Sequence, residues 1–409
     1  MKQTLLLILP FLLGLSLYLY LPLRASGEPL LNWGWVHRGL DEFLFHVQGK
    51  QYQIWMFSGE RLGENMVKFF NLIPYQVSFP GLILLIIGFY QIFRKNYLFA
   101  SFLTISLLSC FFYAVNYSIH DIDAYFSLSF ITLIIISVFG FDFIIEKTNR
   151  KYVYLAILLP IINLAVNFDE ADQSDRYLVH DYTKNLVSGL DSNAIIISAQ
   201  WDYWNSAFWY FQNVENYRKD VVLVEKELMR RTWYPLQFQK LNPELYEKCR
   251  NQFELYKSDL EKFEKGFAPA TYPAIQNNFI NLYKCLIESN IDKRPVYITL
   301  DILQTEPDIA SGYLLKPVGM AIRLYKSKPE ISNDKLLDNK QFDRFISLAS
   351  KPKSYLDSGI ISVVSMNFLN LARYYENEGQ TDYSKYYYKK ALQVLPSNST
   401  ARIGLENLK

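Results

Sequence analysis

Five apolar runs mark the first 167 residues: Leu5–Leu23, Val77–Phe93, Tyr97–Val115, Ala124–Phe141 and Tyr152–Val166. None carries a charged side chain. A helix needs roughly 17–25 such residues to cross the hydrocarbon core of a bilayer. The predicted fold therefore begins with a membrane α-helical bundle of about five transmembrane helices over 1–167. The first run is long for a cleaved signal peptide, and Leu23-Arg24-Ala25-Ser26 is a poor cleavage site, so we read it as a retained helix. Between the first two runs, Leu40, Phe43, Leu44 and Val47 recur at helical spacing, with Asp41, Glu42 and Gln48 on other faces. Trp33, Trp35, Tyr52 and Trp55 add aromatics of the kind that collect at a membrane–water interface. Residues from about 25 to 73 thus predict an interfacial amphipathic segment. It either packs over the bundle or roofs a site at the outer membrane surface.

Orientation follows from the short loops. Arg94 and Lys95 separate the second and third runs, and Lys147, Arg150 and Lys151 separate the fourth and fifth. Positive residues favour the cytoplasmic side. Asp121 and Asp123 sit between the third and fourth runs, on the opposite side. This gives a cytoplasmic N-terminus and an exterior C-terminal region.

From Asn167 onward the pattern changes to that of a soluble domain. Tyr177–Leu190 reads as a helix, Ala194–Ala199 as a buried strand, Trp201–Phe211 as an aromatic segment and Asp220–Val224 as a second strand. A helix starts near Lys226. Another over Phe279–Ser289 leads to a third strand, Pro295–Leu300, and Tyr313–Leu315 with Ala321–Tyr325 form a terminal hairpin. Alternating strands and helices predict an exterior α/β domain over 168–345 with a mostly parallel sheet. In 346–409, Phe368, Leu371, Ala372, Tyr375, Gly379, Ser384, Tyr388, Ala391 and Pro396 fit the spacing of a tetratricopeptide-like helical hairpin, with Ala401–Leu408 as a following helix. One repeat cannot bury its face alone. It either caps the α/β domain or docks on a partner.

Composition narrows the chemistry. The chain averages 50% hydrophobic residues with a net charge of only +2, which offers no electrostatic footprint for nucleic acid. Its three cysteines form no metal-ligand pattern. Cys110 lies in an apolar run. Cys249 and Cys285 either pair in an oxidising compartment or sit in ordinary helices. Four histidines, His37, His46, His120 and His180, suggest no metal site. There is no glycine-rich phosphate loop after a strand and no Gly-x-Ser-x-Gly elbow.

The order of several short motifs carries a resemblance. Tyr18-Leu-Tyr-Leu-Pro-Leu-Arg24-Ala25, Leu31-Asn32-Trp33-Gly34, Phe43, His46 and Gln51-Tyr52 come first. Asp121-Ile-Asp123-Ala-Tyr125-Phe126 and Asp172-Gln-Ser-Asp-Arg176 follow. Asn193-Ala-Ile195, Trp209-Tyr-Phe-Gln212, Arg218-Lys-Asp-Val221 and Trp233-Tyr234 complete the set. Together they resemble a family of multispanning proteins common in bacteria and related to the eukaryotic transmembrane O-mannosyltransferases. The likeness covers nearly the whole chain and matches the C-terminal half of a full member. It implies a membrane-embedded C-type glycosyltransferase with a polyprenyl-phosphate-linked sugar as donor and an exported protein as acceptor. A carboxylate would serve as base, and cations or a divalent metal would meet the leaving phosphate. It also implies partners: the lipid bilayer and a separate subunit supplying the membrane helices that precede this region in full members. A bacterial inner membrane with a periplasmic domain fits, and a eukaryotic endomembrane gives the same charge pattern. The family's acidic residue after Asn-Trp-Gly is replaced here by Trp35, Val36 and His37.

On this reading Asp121 and Asp123 are the catalytic candidates, against capping of a helix start. Arg24 is the leading donor-phosphate candidate, because a guanidinium suits phosphate geometry; the bland alternative is an interfacial anchor. Asn32, Trp33, His46, Tyr52 and Tyr125 are weaker candidates for donor-phosphate or interface binding. Asp202 reads as a helix N-terminal residue. A competing expectation is a non-catalytic membrane-anchored exterior scaffold that binds a partner through its tetratricopeptide-like end. Transport is disfavoured by the lack of intramembrane charge.

Overall fold

The computed structural model describes residues 2–32, 34, 36, 39–264, 272–329, 340–350, 352 and 354–408. Trp33, Trp35 and His37 lie outside the described residues. The chain divides into two compact units, Leu44–Asp175 and Met1–Phe43 together with Arg176–Lys409. Among the described residues four helices are long and apolar enough to cross a membrane, Ile8–Ser26, Tyr97–Val115, Ile122–Lys147 and Arg150–Ala171. A pair bent at a short break, Leu62–Val77 with Phe79–Lys95, makes a fifth if it is counted as one span.

The first span is built from α1 (Lys2–Ser16) and α2 (Tyr20–Ser26), joined by one 3-10 turn. The short helix α3 (Leu40–Val47) forms where the amphipathic spacing predicts it. The same interfacial segment also holds a longer helix that the spacing does not predict, α4 (Leu62–Val77). It meets α5 (Phe79–Lys95) at a bend of 100°. The cause is local. Ser78 adopts φ 62°, ψ 160°, and Pro80 cannot donate a backbone hydrogen bond back into α4. The freed carbonyls at the end of α4 find side-chain donors on another helix. Asn163 Nδ2 donates to Tyr75 O at 3.0 Å and Gln76 O at 2.9 Å, and Asn167 Nδ2 to Tyr75 O at 2.9 Å. In lipid no water would satisfy these carbonyls.

The remaining spans are α6 (Tyr97–Val115), α7 (Ser127–Lys147) and α8 (Leu158–Ala171), the last preceded by a 3-10 stretch over Arg150–Ile157. α5 and α7 approach closely through two glycines. A Cβ on Gly88 would lie 1.9 Å from Ile136 O, and one on Gly140 1.9 Å from Leu84 O. Small residues of this kind let membrane helices pack backbone to backbone. Phe69, Phe126 and Phe130 fill the core between α4 and the start of α7, with the Phe69 and Phe130 rings stacked at 5.3 Å. At the basic end, Lys95 pairs with Asp142 (3.1 Å) and Glu146 (2.8 Å).

The other unit is organised by a five-stranded sheet of order β2-β1-β3-β5-β4. Helix α9 (Leu178–Ser188) leads to β1 (Ile195–Ser198), then a π-helical turn over Trp201–Asn205 and α10 (Ser206–Asn213). Next come β2 (Val222–Glu225), α11 (Lys226–Met229), α12 (Tyr234–Leu241), α13 (Pro243–Lys248), α14 (Arg250–Glu264) and α15 (Tyr272–Glu288). β3 (Val296–Ile298), α16 (Leu300–Thr305), β4 (Leu314–Val318) and β5 (Ala321–Tyr325) complete it. β1 pairs in parallel with β2 and β3, whereas β5 runs antiparallel to β3 and β4. The sheet is therefore mixed rather than mostly parallel, because the terminal hairpin joins the β3 edge. All four residues of β1 are buried, as suits a central strand covered on both faces. Cys249 and Cys285 form a disulfide that ties the end of α13 to α15.

The C-terminal helices are α17 (Lys340–Ala349), α18 (Tyr355–Asn377), α19 (Thr381–Val394) and α20 (Ser399–Asn407). Phe368, Leu371, Ala372, Tyr375, Ser384, Tyr388 and Ala391 are all buried. Gly379, at φ 72°, takes the left-handed position that ends α18. The N-terminus of α18 is closed by a Ser354–Asp357 capping box, and Asp357 also pairs with Arg176. This helix is thus tied to the sheet unit.

Candidate functional site

The loop between α6 and α7 is held against the chain entering α4. Phe57 N donates to Asn116 O (2.7 Å), Ser118 N to Trp55 O (2.9 Å), and the Ser58 and Ser118 hydroxyls lie 2.6 Å apart. Buried Asn65 supplies donors to the end of α6, with Nδ2 reaching Tyr117 O at 3.0 Å and Val115 O at 3.3 Å. These contacts fix a polar cluster at this end of the spans.

Five charged side chains and a histidine meet there. Lys68 Nζ is 2.5 Å from Asp123 Oδ1 and donates to His120 O at 3.3 Å. Arg61 pairs with Glu64 at 2.8 Å, and its NH1 faces His120 Nε2 at 3.5 Å. Asp121, one residue beyond His120, starts the 3-10 turn over Ile122–Phe126 but makes no side-chain cap bond. It is exposed. The two candidate acids therefore differ: Asp123 is held in an ion pair, and Asp121 is in none among the described residues. Both cations are partly exposed, so their existing pairs are worth little and can be exchanged for another anion.

A groove of about 630 Å³ begins at this cluster and follows one face of α4, lined by Gly63, Glu64, Val67, Lys68, Asn71, Leu72 and Tyr75. Tyrosines gather at the same end. Tyr117 packs on Tyr125 at 5.0 Å and on Tyr113 at 6.3 Å, and Tyr52 lies 6.0 Å from Trp55. His46 is half-buried on α3, and its buried Nδ1 has no partner among the described residues. Among the described residues no group of three or more His, Cys, Asp or Glu side chains is placed to hold a metal. The donor set here does not fit one.

Arg24 and Asn32 belong to the sheet unit. Arg24 is exposed in the last turn of α2. Asn32 holds its own loop in place, with Nδ2 donating to Ala25 O at 3.0 Å and its backbone N–H to Gln237 Oε1 at 2.9 Å. Trp33 lies outside the described residues. Sequence reasoning missed Arg61, Glu64 and Lys68. Their one visible signal was the Glu64–Lys68 spacing of four, which puts an acid and a base on the same helix face.

The carboxyl ends of parallel strands are the usual ligand site of an α/β sheet. Here they are filled by the protein's own groups. Tyr182 donates to Gln200 Oε1 (2.7 Å), Trp204 Nε1 to Ser198 Oγ (3.1 Å) and Ala199 N to Asp301 Oδ2 (2.9 Å). Glu225, fully buried at the end of β2, has its carboxyl pushed up to about 7 by burial, against the opposing bond from Leu228 N–H. Asp220 goes the other way, held down to about 2 by the Arg218 guanidinium.

Comparison with known proteins adds a family relation for part of the chain. Residues 179–258 match the family described as TMEM260-associated domain 2. Over 185 residues, 45% of this chain, it is 22% identical to the protein O-mannosyl-transferase tmem260 of Dictyostelium discoideum. That stretch covers 20% of the relative's length. No solved structure matches.

Proposed function

We propose that this chain is a membrane glycosyltransferase of the O-mannosyltransferase type, or a part of one, moving a sugar from a polyprenyl-phosphate donor to an exported protein. The observation that carries the reading is the exposed carboxylate of Asp121, which makes no side-chain cap bond and has no ion pair among the described residues, beside His120, which both Lys68 and Arg61 touch. In the proposed step, Asp121 takes the proton of an acceptor hydroxyl. The hydroxyl oxygen bonds to the sugar's anomeric carbon as that carbon's bond to the phosphate oxygen breaks. The leaving phosphate keeps the electron pair, and Lys68 and Arg61 meet its charge, Lys68 giving up Asp123 to do so. Tyr52, Tyr125 and His46 are proposed as further donor or interface contacts of this cluster, and Arg24, in the sheet unit, as a membrane-interface contact of its own. The relative's name supports the reaction class. The basic ends Arg94–Lys95 and Lys147–Lys151, opposite the cluster along the spans, support an exterior location for it.

The test is transfer from polyprenyl-phosphate-linked mannose to a periplasmic extract by the purified chain, with and without any neighbouring membrane subunit. Asp121→Asn should cost at least about 100-fold in rate, and Lys68→Gln should cost rate rather than folding. Full activity in Asp121→Asn sinks the assignment. No transfer in any combination by folded protein favours the exterior scaffold.

A further inference from the structure

We infer that the basic end of the membrane unit is a seat for an anionic phospholipid, whose phosphate is met by Arg94 and Lys147. α5 and α7 finish side by side there, because Lys95 at the end of α5 pairs with Asp142 and Glu146 in the last two turns of α7. That bridge occupies both acids of this end. Arg94, Lys147, Arg150 and Lys151 are exposed, and none of the four is in an ion pair among the described residues. Cations at the end of a span set its orientation. The placement of these goes further.

Arg94 folds back over the Tyr90 ring, 5.6 Å from its centre, and its NH1 donates to the Tyr90 hydroxyl at 3.4 Å. Lys147 lies 5.9 Å from the centre of the Phe143 ring, and Lys151 5.2 Å from that of Tyr152. Tyr90 and Phe143 each stand one turn further into their span than the cation they hold. Long cationic side chains usually reach outward to water. These are kept where the spans leave the hydrocarbon. The side chains around them are apolar and open: Phe93, Tyr97, Leu98, Tyr152 and Tyr154 are all exposed. A soluble anion would meet the charge and leave these rings bare. An amphiphile with a phosphate and acyl chains covers both, and basic pockets between spans do bind lipid headgroups.

The seat is remote from the Asp121 cluster. α6 runs from Tyr97 at the basic end to Val115 beside the cluster, and α7 returns from Ser127 to Lys147. The two sites therefore face opposite leaflets. The lipid held here is a second lipid contact, separate from any donor, and its binding stands or falls without transfer activity.

The full chain would be placed in nanodiscs of equal parts phosphatidylglycerol and phosphatidylcholine, released in native mass spectrometry, and its retained lipids counted. Phosphatidylglycerol should be retained over phosphatidylcholine by about fivefold or more. The double variant Arg94→Gln with Lys147→Gln should bring the two lipids to near equality, and Arg94→Lys should keep the preference. Both side chains are exposed, and unfolding midpoints in phosphatidylcholine bicelles check that the variants fold. Lys50→Gln removes an exposed cation from the turn leading to Trp55, away from this end, and should change nothing. Equal retention of the two lipids by the unaltered chain, or the same loss in Lys50→Gln, overturns the inference. So does displacement of the lipid by soluble glycerol phosphate, since the occupant would then be a free anion. A dimer that Arg94→Gln dissociates also overturns it, since the occupant would be a second copy.

Discussion

Replacing Gly140 with alanine tests the geometry that holds the membrane unit together. The new methyl would sit 1.9 Å from Leu84 O, 2.8 Å from Leu84 C and 3.0 Å from Gly88 N. An unstrained carbon-to-oxygen contact is about 3.3 Å or more, so the two helices must part by roughly 1.4 Å. All three obstacles are backbone, and no side chain can rotate away. Overpacking of this kind costs about 1–3 kcal/mol. Parting the helices also strains the Ser137 Oγ bond to Gly81 O, already 3.4 Å long. We expect about 3 kcal/mol of lost stability. The internal control is Gly14→Ala in the first span, where a Cβ meets nothing within 4 Å. Both variants would be unfolded reversibly in bicelles, with wild type alongside. The double variant Gly88→Ala with Gly140→Ala should cost less than the sum, because one separation serves both methyls. If Gly140→Ala and Gly14→Ala agree within about 0.5 kcal/mol, the close crossing is wrong.

Two further outcomes follow from named contacts. Asn163→Leu keeps the side chain's bulk but strips the donors from the end of α4, and should destabilise the membrane unit by about 1 kcal/mol in the same assay; an unchanged midpoint would show that the bend does not need them. Glu225 has a folded pKa of about 7 against an unfolded value of 4.5. Because the folded value is raised, its contribution is complete below pH 4.5 and is lost as pH rises to about 7, roughly 3 kcal/mol in all. Denaturant unfolding of the sheet unit in Glu225→Gln should lose that slope, and an identical pH profile would mean the buried carboxyl does not titrate there.

The hydrophobic pattern alone determined the spans, β1, β2, β3 and the C-terminal helices. In each, one periodicity runs long enough to leave a single way to bury the apolar side chains. It also placed Asp121 and Asp123 in the loop opposite the basic ones, and the resemblance made them the candidate acids. It could not tell them apart. That difference depends on Lys68, which lies 55 residues away in sequence and reaches Asp123 only because α4 turns through 100° at Ser78. The helix α4 was hidden because Pro74 interrupts its pattern, and the carbonyls left at its end by the bend before Pro80 are satisfied from α8. The mixed sheet was hidden for a related reason. Alternating strands and helices fix parallel neighbours, but which edge a terminal hairpin joins is a choice between long-range pairings that no local pattern encodes. Residue types and spacing supplied the chemistry available to this chain, and only the tertiary structure decided which acid is held in an ion pair and which is left exposed.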